Sequence, residues 1–268
     1  MPDIPKTIHY CWFGGGDLGR QGEKCINSWR KHLPDYEIIC WNEENFDIHC
    51  CSYVEEAYEH KMWAFVSDYA RIKILYEFGG VYFDTDVEIV KPLDDIISAG
   101  PFMGFETDCS KDRMGTVNPG LGFAVYPGSC LLRKLLDEYN SINLMDSAGE
   151  INQTTIVERT TNVLVRDGLS KVDGIQVIDG IRLLPAEYMN PKSFETGIVS
   201  ITNNTRTIHH YDMSWVSKSV FYEHKIIEKL AAHGLNSSMS KVVGKSFGII
   251  ASLDFTRVIR AIRNKLSK

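Results

Sequence analysis

Two aspartates one residue apart, Asp84 and Asp86, interrupt the run FGGVYFDTDVEIV at residues 78–90, whose other positions read as an apolar β-strand. Alternate side chains of a strand share a face. Val81, Phe83, Thr85 and Val87 are therefore expected on one side, and Tyr82, Asp84, Asp86 and Glu88 on the other. Two carboxylates that close repel, and unpaired burial would cost several kcal/mol or force a proton onto one of them. A divalent cation such as Mn²⁺ or Mg²⁺ answers both problems, because carboxylate oxygens suit it. The calcium loop of an EF-hand is excluded, since Ile89 stands where that loop needs glycine. The alternative is an exposed strand end whose acids meet only water.

The stretch KMWAFVSDYARIKILYEF, residues 61–78, predicts a helix stopped by Gly79 and Gly80. Ala64, Asp68, Arg71 and Leu75 fall on one of its stripes, so Asp68 and Arg71 sit among apolar neighbours rather than on a solvated face. They are either a structural ion pair or a pair that grips a ligand beside the cation, Arg71 on a phosphate and Asp68 on a hydroxyl. Far downstream, IHHYDMSW offers His210 as a further metal ligand, with His209 as the alternative because strand parity turns only one of the two inward. A ligating histidine binds as neutral imidazole, so activity is expected to fall at acid pH. Trp12 stands at the C-terminal end of the first expected strand, where open α/β sheets bind ligands, or else is a core tryptophan.

The elements that must position these groups alternate. KTIHYCWF reads as a strand, GEKCINSWRKHL as a helix stopped before Pro34, and YEIICWN as the next strand, a β-α-β rhythm that implies an α/β protein with a parallel sheet. VYFDTDVEI is expected as one strand, with further strands at PFMGFE, GLGFAVYP, GIQVID, IRLLPAEYM and TRTIHHYD and helices near 129–140 and 153–167. With 268 residues, 44% of them hydrophobic, the chain can bury one large core. Residues 1–240 are expected to form one domain and 241–268 a helical tail.

SDYARIKILYEFGGVYFDTDVE resembles the sugar-binding DXD region of glycosyltransferase family 32, which is related to the glucosyltransferase domains of the large clostridial toxins. IPKTIHYCWFGG is similar to that family's opening strand and TIHHYDMSW to its closing segment. The resemblance implies a GT-A type fold, a Rossmann-like mixed sheet flanked by helices. It also implies a nucleotide-sugar donor and a retaining transfer that uses Mn²⁺ or Mg²⁺. In such enzymes Asp86 would ligate the metal directly. Asp84 would contact ribose and sugar hydroxyls and reach the ion through water. Trp12 would stack on uracil, favouring UDP, with Trp215 also at the donor. Asn118 and INQTT at 151–155 are candidates for the acceptor pocket.

Three other readings compete. GGGDLG, residues 14–19, satisfies a dinucleotide-binding fingerprint, with Glu43 or Glu44 placed to meet a ribose in an NAD-dependent oxidoreductase. A metal-dependent phosphotransferase or hydrolase would use the same acids, but the sequence carries no P-loop lysine motif. A non-catalytic sugar-binding module is the third. The net charge of −6 gives no electrostatic case for nucleic acid. The charge is uneven: residues 241–268 carry +6 and the remainder −12. FTRVIRAIRNKLSK reads as a basic amphipathic helix able to lie on an anionic membrane near a lipid-linked glycan acceptor, as suits bacterial surface polysaccharide synthesis. Seven cysteines without a C-x-x-C pair, and a first stretch lacking the apolar core of a signal peptide, predict reduced thiols and a cytoplasmic enzyme, peripheral at the inner face of the membrane. The sequons at Asn152, Asn203 and Asn236 are read as chance.

Overall fold

Strand β1 (Thr7–Cys11) places Ile8, His9 and Cys11 in the interior, as expected of a strand covered on both faces. It runs parallel to β2 (Glu37–Trp41) on one side and to β3 (Gly80–Tyr82) on the other. A computed structural model of the chain describes residues 3–145, 150–212, 218–232, 240 and 243–246. The remaining strands of the main sheet are β5 (Phe102–Thr107), β6 (Thr116–Val125), β7 (Gln176–Ile178) and β8 (Ile181–Leu184). The order is β2-β1-β3-β6-β5-β8-β7, with β6 and β7 antiparallel to their neighbours, so the sheet is mixed. A separate two-stranded sheet joins β4 (Val87–Ile89) to β9 (Thr207–His209).

Helices cover both faces of the large sheet. On one face lie α2 (Ser52–Glu59), α3 (Trp63–Phe78), α5 (Cys130–Asn140) and α6 (Ile156–Arg166), whose apolar residues form a single core cluster. Helix α3 buries residues all round its circumference, Val66, Tyr69, Ala70, Ile72, Ile74 and Leu75 among them, because it is enclosed rather than laid on the surface. It ends at Gly79 and Gly80, with φ of +65° and +94°, and a side chain at Gly80 would strike the Thr7 carbonyl. The opposite face carries α1 (Gly19–His32), which buries Cys25, Ile26 and Trp29, together with β4 and the short α4 (Asp94–Ser98). A mixed sheet with helices on both faces is the α/β layout that the resemblance implies.

The chain divides into two compact units. The first comprises Met1–Pro191 and Ile201–His210 and holds both sheets. The second comprises Lys192–Ser200 and Tyr211–Lys268. In it α8 (Lys218–Ala232) is fixed to the 192–200 segment by the Lys192–Glu228 ion pair at 2.9 Å and by the His224 Nε2 contact with the Phe194 carbonyl at 2.8 Å. Of the tail only residues 243–246 are described, so the amphipathic stretch from Phe255 onward lies outside the described residues.

Two expected strands are corrected. The run 81–89 is not one strand: β3 ends at Tyr82, a turn closed by the Val87 N–H to the Asp84 carbonyl (3.0 Å) intervenes, and the chain re-enters as β4 of the other sheet. The run 181–189 stops at Leu184, because Pro185 cannot continue the ladder, and becomes α7 (Ala186–Met189), whose first N–H is taken by Asp108. Helices α2, α4 and α8 were not anticipated from the sequence.

Trp29 ties α1 to β4. It is fully buried and its indole N–H donates to the Val87 carbonyl at 2.7 Å. Trp29→Phe is expected to keep most of the packing but orphan that carbonyl, lowering stability by ~1–3 kcal/mol. A urea titration of the variant showing no loss would contradict this account of how β4 is anchored.

Candidate active site

The site forms where the chain leaves β3. The Asp84 N–H donates to the Gly120 carbonyl at 2.9 Å, which carries the chain along β6 for one more residue before it turns away. Asp84 and Asp86 thus flank a tight turn at the C-terminal ends of β1 and β3 instead of lining a strand face. Asp84 still lies on the side of Tyr82, whose hydroxyl donates to Asp84 Oδ1 at 3.2 Å. Gly120 leaves no room for a side chain, since a β-carbon there would collide with the Asp84 carboxylate and Arg71.

Arg71, from α3, is buried, and its guanidinium spans two acids. Nη2 reaches Asp68 Oδ1 at 3.0 Å and Asp84 Oδ1 at 3.1 Å, while Nη1 donates to Asp84 Oδ2 at 3.3 Å. The fork-shaped contact fixes the plane of the Asp84 carboxylate. Arg71 also lies over the Tyr82 ring, 4.9 Å from its centroid. Burial raises the Asp68 pKa to about 6, with Arg71 opposing the rise and Asp84 adding to it.

The second sheet brings in the histidine. Pairing of Val87 with His209 in the β4–β9 register, and the His210 N–H bound to the Asp86 carbonyl at 2.9 Å, set β9 against the turn. His209 Nε2 then sits 3.2 Å from Asp86 Oδ1. Asp84, Asp86 and His209 offer three ligand atoms all within 4.8 Å of one another, a cluster able to hold a cation. His210, the first choice from sequence, faces the other way and meets Glu88 Oε2 at 2.8 Å, where Lys24 also lies at 2.8 Å. The alternation of a strand makes the two histidines exclusive, and the register selects His209. Burial disfavours the charged form of His209, but Asp86, Asp84 and Glu106 together raise its pKa above the ordinary imidazole value.

Glu106 and Gly120 were missed from sequence. Glu106 lies near the end of β5 and accepts from the Asn118 amide at 3.1 Å, while Asn118 Oδ1 accepts the Gly120 N–H at 2.7 Å. Asn118 therefore braces the strand behind Asp84. Only a charge at the end of an otherwise apolar strand could have pointed to Glu106.

Trp12 follows β1 directly and its indole N–H donates to the Gly16 carbonyl at 2.7 Å. Glu43, the acid a dinucleotide site would turn to a ribose, instead accepts the Gly14 N–H at 2.6 Å and closes the glycine loop. Trp215 lies outside the described residues.

Residues 19–103, which run through Asp68, Arg71, Asp84 and Asp86, match the family described as glycosyltransferase sugar-binding region containing DXD motif. Over this stretch the chain is similar to DXD-containing glycosyltransferases. Over 114 residues the chain is 32% identical to inositol phosphoceramide mannosyltransferase 1 of Schizosaccharomyces pombe, covering 38% of this chain and 34% of that protein. Over 101 residues it is 28% identical to inositol phosphoceramide mannosyltransferase 3 of the same yeast, covering 35% and 27%. The chain thus matches about a third or less of the length of these curated relatives. Among solved structures it is similar to PaToxG glycosyltransferase, with 20% identity and a TM-score of 0.45 over 62% of this chain and 70% of that one. The DXD region supplies the aspartate pair, α3 and the turn, while His209 comes from more than a hundred residues beyond it.

Proposed function

We propose that the chain is a metal-dependent, retaining hexosyltransferase that takes its sugar from a nucleotide-sugar, UDP-linked in the first instance. The observation that carries this reading is the convergence of Asp84, Asp86 and His209 on one point within a DXD glycosyltransferase region. Two carboxylates and an imidazole are a donor set suited to Mn²⁺ or Mg²⁺. Asp86 and His209 would hold the ion. Asp84, whose oxygens already accept from Arg71 and Tyr82, would stand beside it and meet donor hydroxyls. A bound cation supplies Lewis-acid stabilisation of the charge that builds on a departing diphosphate.

The chain's own residues orient the donor. Arg71 keeps Asp84 in one plane, Asp68 supplies a second carboxylate on the same side, and the Trp12 ring offers a stacking surface for the base at the end of β1. The acceptor hydroxyl attacks on the face from which the diphosphate leaves, and a phosphate oxygen takes its proton. The acceptor is a saccharide or a lipid-linked glycan, as in the building of bacterial capsule, O-antigen or lipopolysaccharide. The relatives' names, which specify an inositol phosphoceramide and mannosyl transfer, support a lipid-linked acceptor and a mannosyl donor among those to test.

We also assign the basic tail, residues 241–268, to the anionic inner face of a membrane, with the enzyme itself cytoplasmic. No helix among the described residues is long and apolar enough to cross a bilayer. A chain ending at residue 240 that pellets with anionic liposomes as well as the full chain does would contradict the assignment.

The deciding assay incubates the purified full chain with UDP-, GDP- and TDP-sugars, with Mn²⁺ or with EDTA. Mn²⁺-dependent hydrolysis of at least one donor, with retention of anomeric configuration, is the expected result. Absence of hydrolysis, transfer and Mn²⁺-dependent nucleotide binding across the whole panel would overturn the reading.

The histidine adds a pH signature. Protonated His209 cannot ligate, and its acidic neighbours raise its pKa above the ordinary imidazole value, so the proton competes with the ion to a higher pH than at an ordinary histidine. Mn²⁺ affinity and donor hydrolysis should both fall as pH drops through that raised value and level off above it. Isothermal titrations across the neutral range would show the loss, and a flat profile would remove His209 from the ligand set.

A further inference from the structure

Helices α2, α3, α5 and α6 enclose a polar node. Tyr53 of α2, Tyr139 of α5 and Arg159 of α6 meet there. The two tyrosine rings are 4.9 Å apart at their centroids and the Arg159 guanidinium lies 5.1 Å from the centroid of Tyr139. Arg159 is only 7% exposed. Its Nε and Nη2, and the hydroxyls of Tyr53 and Tyr139, are buried with no hydrogen-bond partner among the described residues. Four orphaned polar atoms within one interface are too many to be accidents, because such groups are almost always satisfied by protein or by ordered water. Asp68, which accepts from the Ile156 amide at the start of α6, raises the pKa of both tyrosines, while Arg71 and Arg159 oppose the rise of its own. Arg159 makes no direct ion pair within reach of that carboxylate among the described residues, so the link between them is indirect.

We infer that Arg159 is a positioning residue for Asp68, acting through an enclosed hydration site that it walls together with Tyr53 and Tyr139. The role of Asp68 toward the donor rests on the reading above; the hydration site and its effect on Asp68 do not. Two acids, Asp68 and the partly exposed Asp84, face one buried cation in direct contact, Arg71. Arg159 supplies the second positive charge, transmitted by water dipoles and tyrosine hydroxyls. The groups facing Asp68 are then Tyr53 from α2, Arg71 from its own helix, Asp84 from the turn after β3, Tyr139 from α5, and Arg159 with the Ile156 amide from α6.

Two measurements test this on the full chain. In a high-resolution crystal structure, ordered water should bridge Arg159 Nε or Nη2 to a tyrosine hydroxyl or to Asp68. A dry node would overturn the inference whether or not any variant folds. Carbon-detected NMR titration of the aspartates, with Asp68 assigned through Asp68→Asn, should show the Asp68 midpoint rising by about one pH unit in Arg159→Gln and returning toward the starting value in Arg159→Lys. An unmoved midpoint in folded Arg159→Gln rejects it. If Arg159→Gln does not fold, Tyr139→Phe must still shift the Asp68 midpoint measurably, and its failure to do so counts as rejection. A shifted midpoint with unchanged donor hydrolysis upholds the Arg159 link and removes Asp68 from the donor site, so the two ideas fail separately. Reduced hydrolysis with an unshifted midpoint rejects the link.

Discussion

Asp86→Ala is expected to cut donor hydrolysis and transfer about a thousandfold, corresponding to ~4 kcal/mol of transition-state stabilisation. Asp86 belongs to the cluster and contacts His209 at 3.2 Å. Its loss takes one of three candidate ligands from the cluster. The unfolding midpoint should change little, because the backbone carbonyl of Asp86 still accepts from His210 and the β4–β9 register is untouched. His209, deprived of its nearest negative neighbour, should titrate lower than in the parent protein. Steady-state kinetics with saturating Mn²⁺, alongside a thermal melt, check both halves. Parental turnover in a folded Asp86→Ala protein would dismantle the assignment.

Arg71→Met reverses the balance, with stability hit as hard as activity. The substitution fills similar space but leaves Asp68 and the partly exposed Asp84 beside one another without their shared counter-ion. Breaking a buried pair in this way costs ~3–5 kcal/mol. The sign of the pH dependence follows from Asp68. Its folded pKa, already raised to about 6, should rise further without Arg71, so the native state binds more protons than the unfolded chain above the ordinary carboxylate value. The native state is then penalised progressively as pH climbs through the folded pKa. The deficit relative to the parent protein should be larger at pH 8 than at pH 5. Urea titrations at both values decide the point, and a deficit independent of pH would mean that Asp68 is not the group left stranded.

Much of the architecture could be read locally. The helix over residues 61–78, its double-glycine stop and the alternation of strands with helices through the first half all rest on periodicity and on residues that break it. The acids at 68, 84 and 86 were legible because charge in an apolar stretch is conspicuous. What escaped was everything decided by distant pairing. Parity left His209 and His210 equivalent, and only the register of β9 on β4 separates them. The break after Tyr82 was hidden because VYFDTDVEI has unbroken strand character; the switch of sheet is imposed by Gly120 on one side and β9 on the other. Gly120 and Glu106 carry no local signal, since their importance lies in what approaches them in space. Helix α2 is short and its buried Tyr53, Val54 and Ala57 stripe spans barely two turns.

The smaller sheet has a consequence for how the protein responds to its surroundings. β4 and β9 are three residues each and pair only with one another, so the ladder itself contributes little, and the ribbon depends on props such as Trp29 and the Ser28 hydroxyl, which accepts the Ile89 N–H. A segment of that kind opens at a fraction of the free energy needed to unfold the whole chain. His209 rides on it. Binding of a cation at the proposed site would therefore be coupled to closure of the ribbon, and the protein would become its own gauge: deuterium uptake at the Thr207–His209 amides would record how often the site is assembled.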